Sequence, residues 1–179
     1  MDRPKIKNQK SKIKILDIGT GSGCIAIALA KNLTNAQVFA LDVSEQALST
    51  AKKNAELNQV TIQFLHQSIL ETEDLGQQFD VIVSNPPYVR ELEKQEIKKN
   101  VLDYEPHLAL FVEDTDALLF YRKIAQLALK NLTPNGILFF EINQYLGNET
   151  VELLQNLGFK NIELKKDIYG NDRMVKSTR

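Results

Sequence analysis

Cysteine and histidine are scarce in this sequence, and their scarcity limits the chemistry available to it. The 179 residues include one cysteine, Cys24, and two histidines, His66 and His107. A single cysteine excludes an internal disulfide and any metal site built from several cysteines. The two histidines lie far apart and lack the spacing of metal ligands, so we expect no metal centre. Because apolar residues follow Cys24 in a predicted helix, we expect its side chain to be buried.

Long hydrophobic runs and a strong net charge are also missing. No apolar stretch approaches the roughly 20 residues that a membrane span needs, and no apolar segment follows the basic N-terminus as in a signal peptide. The formal net charge is −1, whereas nucleic-acid-binding domains usually present a basic face. Together with the single cysteine, these absences predict a cytoplasmic protein that binds no membrane and forms no stable complex with nucleic acid.

The basic residues at the start of the chain separate it into two parts. Residues 1–12 are predicted to be a flexible leader, because like charges repel one another, although an arm that contacts nucleic acid or the ribosome is the alternative. Residues 13–179 are predicted to be one domain. A composition that is 43% hydrophobic supplies enough apolar side chains for one buried core.

Apolar runs alternate with segments of helical periodicity along the rest of the chain. Strands are predicted at 12–18, 36–43, 61–68, 79–85 and 137–143. Helices are predicted at 24–33, 45–58, 115–132 and 145–158, with Ser44 and Thr115 as candidate caps and a turn at 134–136. Two last strands, at 159–167 and 173–178, are predicted to form a hairpin. The alternation predicts an α/β fold, a mostly parallel seven-stranded sheet with helices on both faces and an antiparallel edge strand near the C-terminus.

A glycine-rich loop, DIGTGSG, follows the first strand. Glycine allows the backbone to turn sharply and to approach a ligand closely. The spacing is G-x-G-x-G, whereas the dinucleotide fingerprint is G-x-G-x-x-G. Asp42 ends the second strand, 19 residues after Gly23, where a carboxylate can accept hydrogen bonds from both hydroxyls of a ribose. The loop and this carboxylate together indicate an adenosine-containing ligand.

Asp17, directly before the glycines, favours S-adenosylmethionine as that ligand. A carboxylate is unfavourable beside a pyrophosphate and favourable beside the ammonium group of a methionine moiety. A Walker loop is excluded because no Gly-Lys-Ser/Thr is present. A dinucleotide site and a purely structural turn are the alternatives. The predicted cofactor-binding residues of the loop are Asp17, Gly19, Thr20, Gly21, Ser22 and Gly23.

Ser68 and Ile69 follow the third strand and are placed to contact the adenine ring. The carboxyl ends of parallel strands meet at one edge of a sheet, where such folds bind ligands. A plain junction between strand and loop is the alternative for this pair.

The segment NPPY, residues 85–88, stiffens the chain where the fourth strand ends. Each proline fixes φ at about −65° and lacks an N–H, and Asn85 is held in extended geometry by the proline that follows it. Asn85 Oδ1 and the Pro86 carbonyl then become two fixed acceptors for the two N–H donors of a planar –NH2 group, with Tyr88 as an aromatic wall. This grip aims the nitrogen lone pair at a methyl group. We predict catalytic roles for Asn85, Pro86 and Tyr88, whereas a stiff turn without chemistry is the alternative.

Taken together, DIGTGSG, LDVS and NPPY resemble the class I S-adenosylmethionine-dependent methyltransferases that act on planar amino groups. The segments 104–125 and 167–175 resemble, more specifically, the peptide chain release factor glutamine methyltransferases of the PrmC/HemK family. This resemblance implies a Rossmann-like fold, S-adenosylmethionine as methyl donor and a class 1 release factor as partner. The substrate is then the glutamine of the release factor's Gly-Gly-Gln motif.

The resemblance also assigns roles to individual residues. Asn85 contacts the cofactor as well as the substrate, and Ile69 lies near the adenine. The implied substrate-binding residues are Asn85, Pro86, Pro87, Tyr88 and Glu105. Members of this family usually carry an N-terminal helical domain, which we expect this chain to lack, and we expect the domain at 13–179 to be a monomer.

Three other functions fit the same motifs. An adenine N(6) methyltransferase would use the same grip on DNA or RNA, with Tyr88 stacking on a flipped base. A glutamine methyltransferase could act on a ribosomal protein instead of a release factor. A non-catalytic subunit would bind S-adenosylmethionine without turnover.

Overall fold

One seven-stranded sheet organises the chain, for which the computed structural model describes residues 12–87, 89–90, 111–112 and 116–179. Its strands are β1 Ile13–Ile18, β2 Ala36–Asp42, β3 Ile62–His66, β4 Phe79–Ser84, β7 Leu132–Glu141, β8 Lys160–Lys166 and β9 Asp172–Thr178. The helices are α1 Cys24–Asn32, α2 Glu45–Leu57, α3 Leu119–Asn131 and α4 Gly147–Asn156. Two short strands, β5 Val89–Arg90 and β6 Phe111–Val112, pair in parallel outside this sheet.

The strand order is β3-β2-β1-β4-β7-β9-β8. The first five strands of this order run parallel, and β9 is antiparallel to both β7 and β8. The predicted mostly parallel sheet with antiparallel C-terminal pairing is confirmed. The last strand of the chain enters between β7 and β8, so the first strand of the predicted hairpin forms the edge.

Helices cover both faces of the sheet, because successive side chains of β1 are buried in two different clusters. Leu16 and Ile18 belong to one buried cluster, which includes Tyr121 of α3. Ile15 belongs to a second cluster, which includes Ile27 of α1. Successive side chains of a strand point to opposite faces, so the two clusters lie on the two sides of the sheet. The predicted helical layer on each face is confirmed.

Most predicted boundaries hold within two residues, and β7 is the main exception. Leu132 pairs with Phe79 and Ile137 pairs with Val81, so β7 advances five residues while β4 advances two. The predicted turn at 134–136 lies in this bulge and not before the strand, and an added Cβ at Gly136 would lie 2.8 Å from the Leu132 side chain. The strand therefore begins at Leu132 instead of residue 137.

The helix starts follow the caps only in part. Ser44 accepts a hydrogen bond from the Ala47 amide at 3.2 Å, which confirms it as the cap of α2. The third helix begins at Leu119, and the predicted cap Thr115 lies outside the described residues. None of the helices in the described ranges has both the length and the apolar character needed to cross a membrane.

The order in which strands are added to the sheet changes direction at β1, and this creates the crevice in which such sheets bind ligands. From β1 the chain moves outward through β2 and β3 and then returns to the other side of β1 as β4. The connections after β1 and β4 therefore diverge at the same edge, and open parallel sheets bind ligands at this switch point. The glycine loop follows β1 and NPPY follows β4, so both predicted segments lie at this crevice.

Candidate active site

Asp17 lies beneath the glycine loop as a deeply buried carboxylate. Only 1% of its surface is exposed. Its Oδ2 accepts hydrogen bonds from the Thr20 hydroxyl at 2.7 Å and from the Ala26 amide at 3.2 Å. Its Oδ1 is buried and has no hydrogen-bond partner among the residues that the structure describes. A buried carboxylate oxygen without a partner is costly, and a ligand that donates a hydrogen bond would relieve that cost.

Burial is the main cause of an unusual pKa at Asp17. It raises the pKa of the carboxyl from 3.8 to about 6, against the opposing effect of the bonds from Thr20 and Ala26. The nearby carboxylate of Asp42 raises the pKa further. A cationic ligand would favour the ionised form of Asp17 and reverse this shift. The electrostatics of the loop therefore suit a ligand that carries positive charge.

Asp42 fastens the glycine loop to the end of β2. Its Oδ2 accepts a hydrogen bond from the Gly21 amide at 2.8 Å, and its Oδ1 accepts one from the Ser44 amide at 2.9 Å. Each carboxylate oxygen has two lone pairs, so one remains on each oxygen for a ribose hydroxyl. Asp42 can therefore shape the loop and bind a diol at the same time.

The glycines are required by two different features of the loop. Gly21 has a φ of +55°, in the left-handed region, and an added Cβ there would meet no atom within 4 Å. Gly23 has a φ of +86°, and an added Cβ would lie 3.0 Å from the Ala51 side chain of α2. Gly21 thus faces open space where a ligand could lie, whereas Gly23 allows α1 to begin close against α2.

Thr20 and Ser22 differ in their positions on the loop. Thr20 is buried and points its hydroxyl at Asp17, so it supports the carboxylate from within. Ser22 is exposed, and its carbonyl accepts a hydrogen bond from the Asn54 side chain of α2 at 2.9 Å. Gly19 donates its amide hydrogen to the Leu41 carbonyl at 2.8 Å, which joins the loop to β2.

A cleft of about 470 Å³ adjoins the end of β2. It is lined by Val43, His66, Gln67, Ser68, Glu71 and Thr72. The carbonyl of Ser68 accepts hydrogen bonds from the Glu71 and Thr72 amides, which turns the chain over this cleft. Ile69 is buried in the main apolar cluster. Ser68 thus borders a cleft beside Asp42, and Ile69 anchors the same turn in the core.

The NPPY segment begins directly beside the glycine loop. Ile18 pairs with Ser84 as the last residue pair between β1 and β4, so Gly19 and Asn85 follow on neighbouring strands. Asn85 is exposed, Pro86 is buried and Pro87 is half-buried. The Ser84 hydroxyl donates to the Ile18 carbonyl at 2.7 Å and joins the two strand ends. The side-chain amide of Asn85 is therefore exposed to a ligand in the crevice, while the residues on either side of it are buried.

Two predicted site residues, Tyr88 and Glu105, lie outside the described residues. Among the remaining ones, hydrogen bonds and strand register bring together Asp17, Thr20, Gly21, Asp42 and Asn85.

The prediction for Cys24 was wrong, because its side chain is exposed. Cys24 is the first residue of α1, and its Sγ lies 3.2 Å from Ser22 Oγ. Ala26 and Ile27, which follow it in the helix, are buried, whereas the first position of the helix is exposed.

Glu141, the last residue of β7, was not predicted from the sequence as a site residue. Phe140 pairs with Ser84, so Glu141 lies one residue further along, beside Asn85. The available signal was an acidic residue at the end of an otherwise apolar strand, ILFFEIN, in a sheet whose ligands bind at the carboxyl ends.

The described residues contain no group of three or more acidic, histidine or cysteine side chains that could hold a metal ion.

Comparisons with known proteins identify methyltransferases as the proteins that this chain resembles. Residues 4–107 match the family described as the methyltransferase small domain. A release factor glutamine methyltransferase from Flavobacterium psychrophilum is 72% identical over 172 residues, which is 96% of this chain and 60% of the relative. A protein of the same name from Bacteroides thetaiotaomicron is 47% identical over 175 residues, 97% of this chain and 63% of the relative. The chain thus spans about three fifths of the length of these curated relatives.

Solved structures of methyltransferases share the fold. The 16S rRNA methyltransferase of Thermus thermophilus, solved with AdoMet and guanosine, superposes with a TM-score of 0.65 at 21% identity, over 93% of this chain and 37% of that one. The class I methyltransferase fold, with its mostly parallel seven-stranded sheet, is thereby confirmed. From its sequence match and its fold, this chain belongs to the methyltransferase small domain family.

Proposed function

We propose that this chain transfers a methyl group from S-adenosylmethionine to the side-chain amide nitrogen of a protein glutamine, that of the Gly-Gly-Gln motif in class 1 release factors. One observation carries the proposal. The partnerless oxygen of buried Asp17, near the carboxyl end of β1, and the exposed amide of Asn85, directly after β4, lie at the ends of neighbouring strands beside the same crevice. The names of the relatives that are 72% and 47% identical support the choice of substrate.

The described residues fit S-adenosylmethionine as the ligand of the glycine loop. Asp17 Oδ1 would accept a hydrogen bond from the ammonium group, and the open space at Gly21 would receive the methionine chain. Asp42 would bind the ribose hydroxyls through its remaining lone pairs, and the cleft at Ser68 would receive the adenine. When bound, S-adenosylmethionine supplies a methyl carbon attached to a positively charged sulfur. The loop sequence DIGTGSGC contains no lysine or arginine to oppose such a cation.

Asn85 and Pro86 would prepare the substrate amide for attack. An amide nitrogen is a poor nucleophile because its lone pair is delocalised into the carbonyl group. If Asn85 Oδ1 and the Pro86 carbonyl accept its two hydrogens, the nitrogen is fixed with its lone pair toward the methyl carbon. Orientation of this kind can contribute roughly 7–11 kcal/mol to lowering a barrier.

The single cysteine provides a direct test of the cofactor site. Cys24 is exposed and follows Gly23, so a ligand on the glycine loop would shield its thiol. We expect saturating S-adenosylmethionine to slow alkylation of Cys24 by iodoacetamide at least about tenfold, measured by intact mass. Adenosine triphosphate at the same concentration is the control, because its phosphates would meet Asp17 and should give little protection. Equal alkylation rates with and without S-adenosylmethionine would refute the proposed cofactor site.

The choice of acceptor is tested by offering the chain each candidate substrate. The chain would be incubated with S-adenosylmethionine carrying a tritiated methyl group and with a class 1 release factor, ribosomal proteins or an adenine-containing oligonucleotide. We expect label in the release factor, and none in a release factor whose Gly-Gly-Gln glutamine is replaced by alanine. Label in the oligonucleotide or the ribosomal proteins alone would reassign the substrate. Protection of Cys24 without label in any acceptor would indicate a binding subunit.

A further inference from the structure

Glu141 lies beside the crevice, in line with residues at the ends of the neighbouring strands β1 and β4. Asp17 pairs with Val83, and Val83 pairs with Phe139, across the neighbouring strands β1, β4 and β7. Two residues further along the chain from each member of this row come Gly19 and Asn85, which directly follow β1 and β4, and Glu141, which ends β7. Neighbouring strands are about 4.8 Å apart, a gap that a glutamate side chain can span. Asn85 is therefore flanked by the glycine loop on one side and by Glu141 on the other.

Strand alternation determines the face on which Glu141 lies. The neighbouring Phe140 packs edge-on against Tyr121 of α3, with ring centroids 5.3 Å apart. Glu141 therefore points to the opposite face. Asp17 points to that face too, since it accepts a hydrogen bond from the Ala26 amide of α1. Glu141 is half-buried there, at the end of its strand.

We propose that Glu141 is a further catalytic residue, whose carboxylate faces the amide nitrogen held by Asn85, stabilises the positive charge that this nitrogen gains during methylation and then accepts its proton. The inference rests on the proposed function, because it requires a methyl donor in the glycine loop and a neutral –NH2 acceptor at Asn85.

Charge movement in the reaction gives the carboxylate its role. The nitrogen forms a bond to the methyl carbon with its lone pair while the carbon–sulfur bond breaks and leaves its electron pair on sulfur. Sulfur becomes neutral, and the nitrogen carries the positive charge until one of its protons moves to the carboxylate. Fixed charges directed at the atom where charge develops lower the barrier most effectively. An N-protonated amide is a strong acid, so a carboxylate is a sufficient base.

The first test measures binding and needs no methyl acceptor. Sinefungin carries an ammonium group where S-adenosylmethionine carries its methylsulfonium, whereas S-adenosylhomocysteine carries no charge there. We expect Glu141→Gln to weaken sinefungin binding at least about tenfold in calorimetric titration and to leave S-adenosylhomocysteine binding within about twofold. Glu163→Gln on β8, which removes a carboxylate from the hairpin, is the matched control and should change neither affinity. Equal effects of Glu141→Gln on both ligands, or no effect on either, would overturn the inference.

The second test separates catalysis from folding. Glutamine keeps the size of glutamate, so Glu141→Gln removes the charge with little change in packing, and the Tm reports any structural loss. We expect this variant to lower kcat at least about tenfold while KM for the release factor and the Tm stay unchanged, and Glu141→Asp to recover part of kcat. Wild-type kcat in Glu141→Gln, or a loss explained by a lower Tm, would overturn the inference. A wild-type chain that binds neither nucleoside would refute the proposed function, and this inference with it.

Discussion

Replacement of Asn85 by alanine is expected to reduce methyl transfer about 10²- to 10³-fold, while the affinity for S-adenosylmethionine changes only a few-fold. Asn85 is exposed at the end of β4, and its backbone is held between buried Ser84 and buried Pro86. The variant should therefore fold normally and lose one of the two acceptors that orient the substrate amide. The rate would be measured as methyl incorporation into a release factor, and affinity by calorimetric titration.

Asn32→Ala is the matched control for Asn85→Ala. Asn32 is an exposed asparagine at the far end of α1, where its side chain donates to the Ala28 carbonyl of the same helix. It should retain full activity. Activity of Asn85→Ala within about threefold of the wild type would contradict the proposal that Asn85 holds the substrate amide. A loss of cofactor affinity as large as the loss of activity would indicate that Asn85 acts mainly in binding the cofactor.

Replacement of Asp17 by asparagine should stabilise the ligand-free protein at neutral pH. Burial raises the pKa of Asp17 from 3.8 to about 6, so the folded chain holds this proton more tightly than the unfolded chain does. The resulting stabilisation is present below pH 3.8 and is lost as the pH rises through about 6, which costs about 3 kcal/mol above that pH. Asparagine does not titrate and avoids this cost, although its buried –NH2 group would offset part of the gain.

We expect Asp17→Asn to raise the free energy of unfolding in urea by about 1–3 kcal/mol at pH 7.5 and to change it little near pH 4. Asp80→Asn, near the amino end of β4, is the control and should show no such gain. The opposite effect is expected on binding, since the carboxylate that would meet the ammonium is gone: affinity for S-adenosylmethionine should fall at least about tenfold. A less stable variant, or one with unchanged affinity, would contradict the assigned role of Asp17.

The order of elements and the position of the site could be predicted from the sequence because both follow from local patterns. Alternating apolar runs define the strands of a parallel sheet, and the carboxyl ends of such strands meet at one edge. The glycine loop, Asp42 and Asn85 were thus expected at the same crevice. Strand order and register confirm this arrangement for the described part of the chain.

Features that depend on contacts between distant segments were not predictable in the same way. The bond from the Gly21 amide to Asp42 requires the ends of β1 and β2 to lie side by side. The bulge of β7 at 134–136 depends on how that strand pairs with β4. The exposure of Cys24 depends on the rotation of α1 against the sheet. Each of these is fixed by tertiary packing, which local periodicity does not encode.

The burial of Asp17 shows the same limit at the level of chemistry. Its position before the glycines indicated a carboxylate near a cation. The partnerless Oδ1 and the raised pKa arise because the folded chain buries this carboxylate. The sequence therefore indicates the kind of ligand, and the packing supplies a physical reason for the proposed role of Asp17 in binding it.

Mass spectrometry of a release factor gives the most direct test of the proposed reaction. An unmodified class 1 release factor would be incubated with this chain and S-adenosylmethionine, digested and analysed by fragment sequencing. We expect a gain of one methyl group on the glutamine of the Gly-Gly-Gln motif, and a gain at least about 10²-fold slower with Asn85→Ala. An unmodified glutamine after prolonged incubation with cofactor-bound chain, or a methyl group on any other residue, would contradict the proposed reaction.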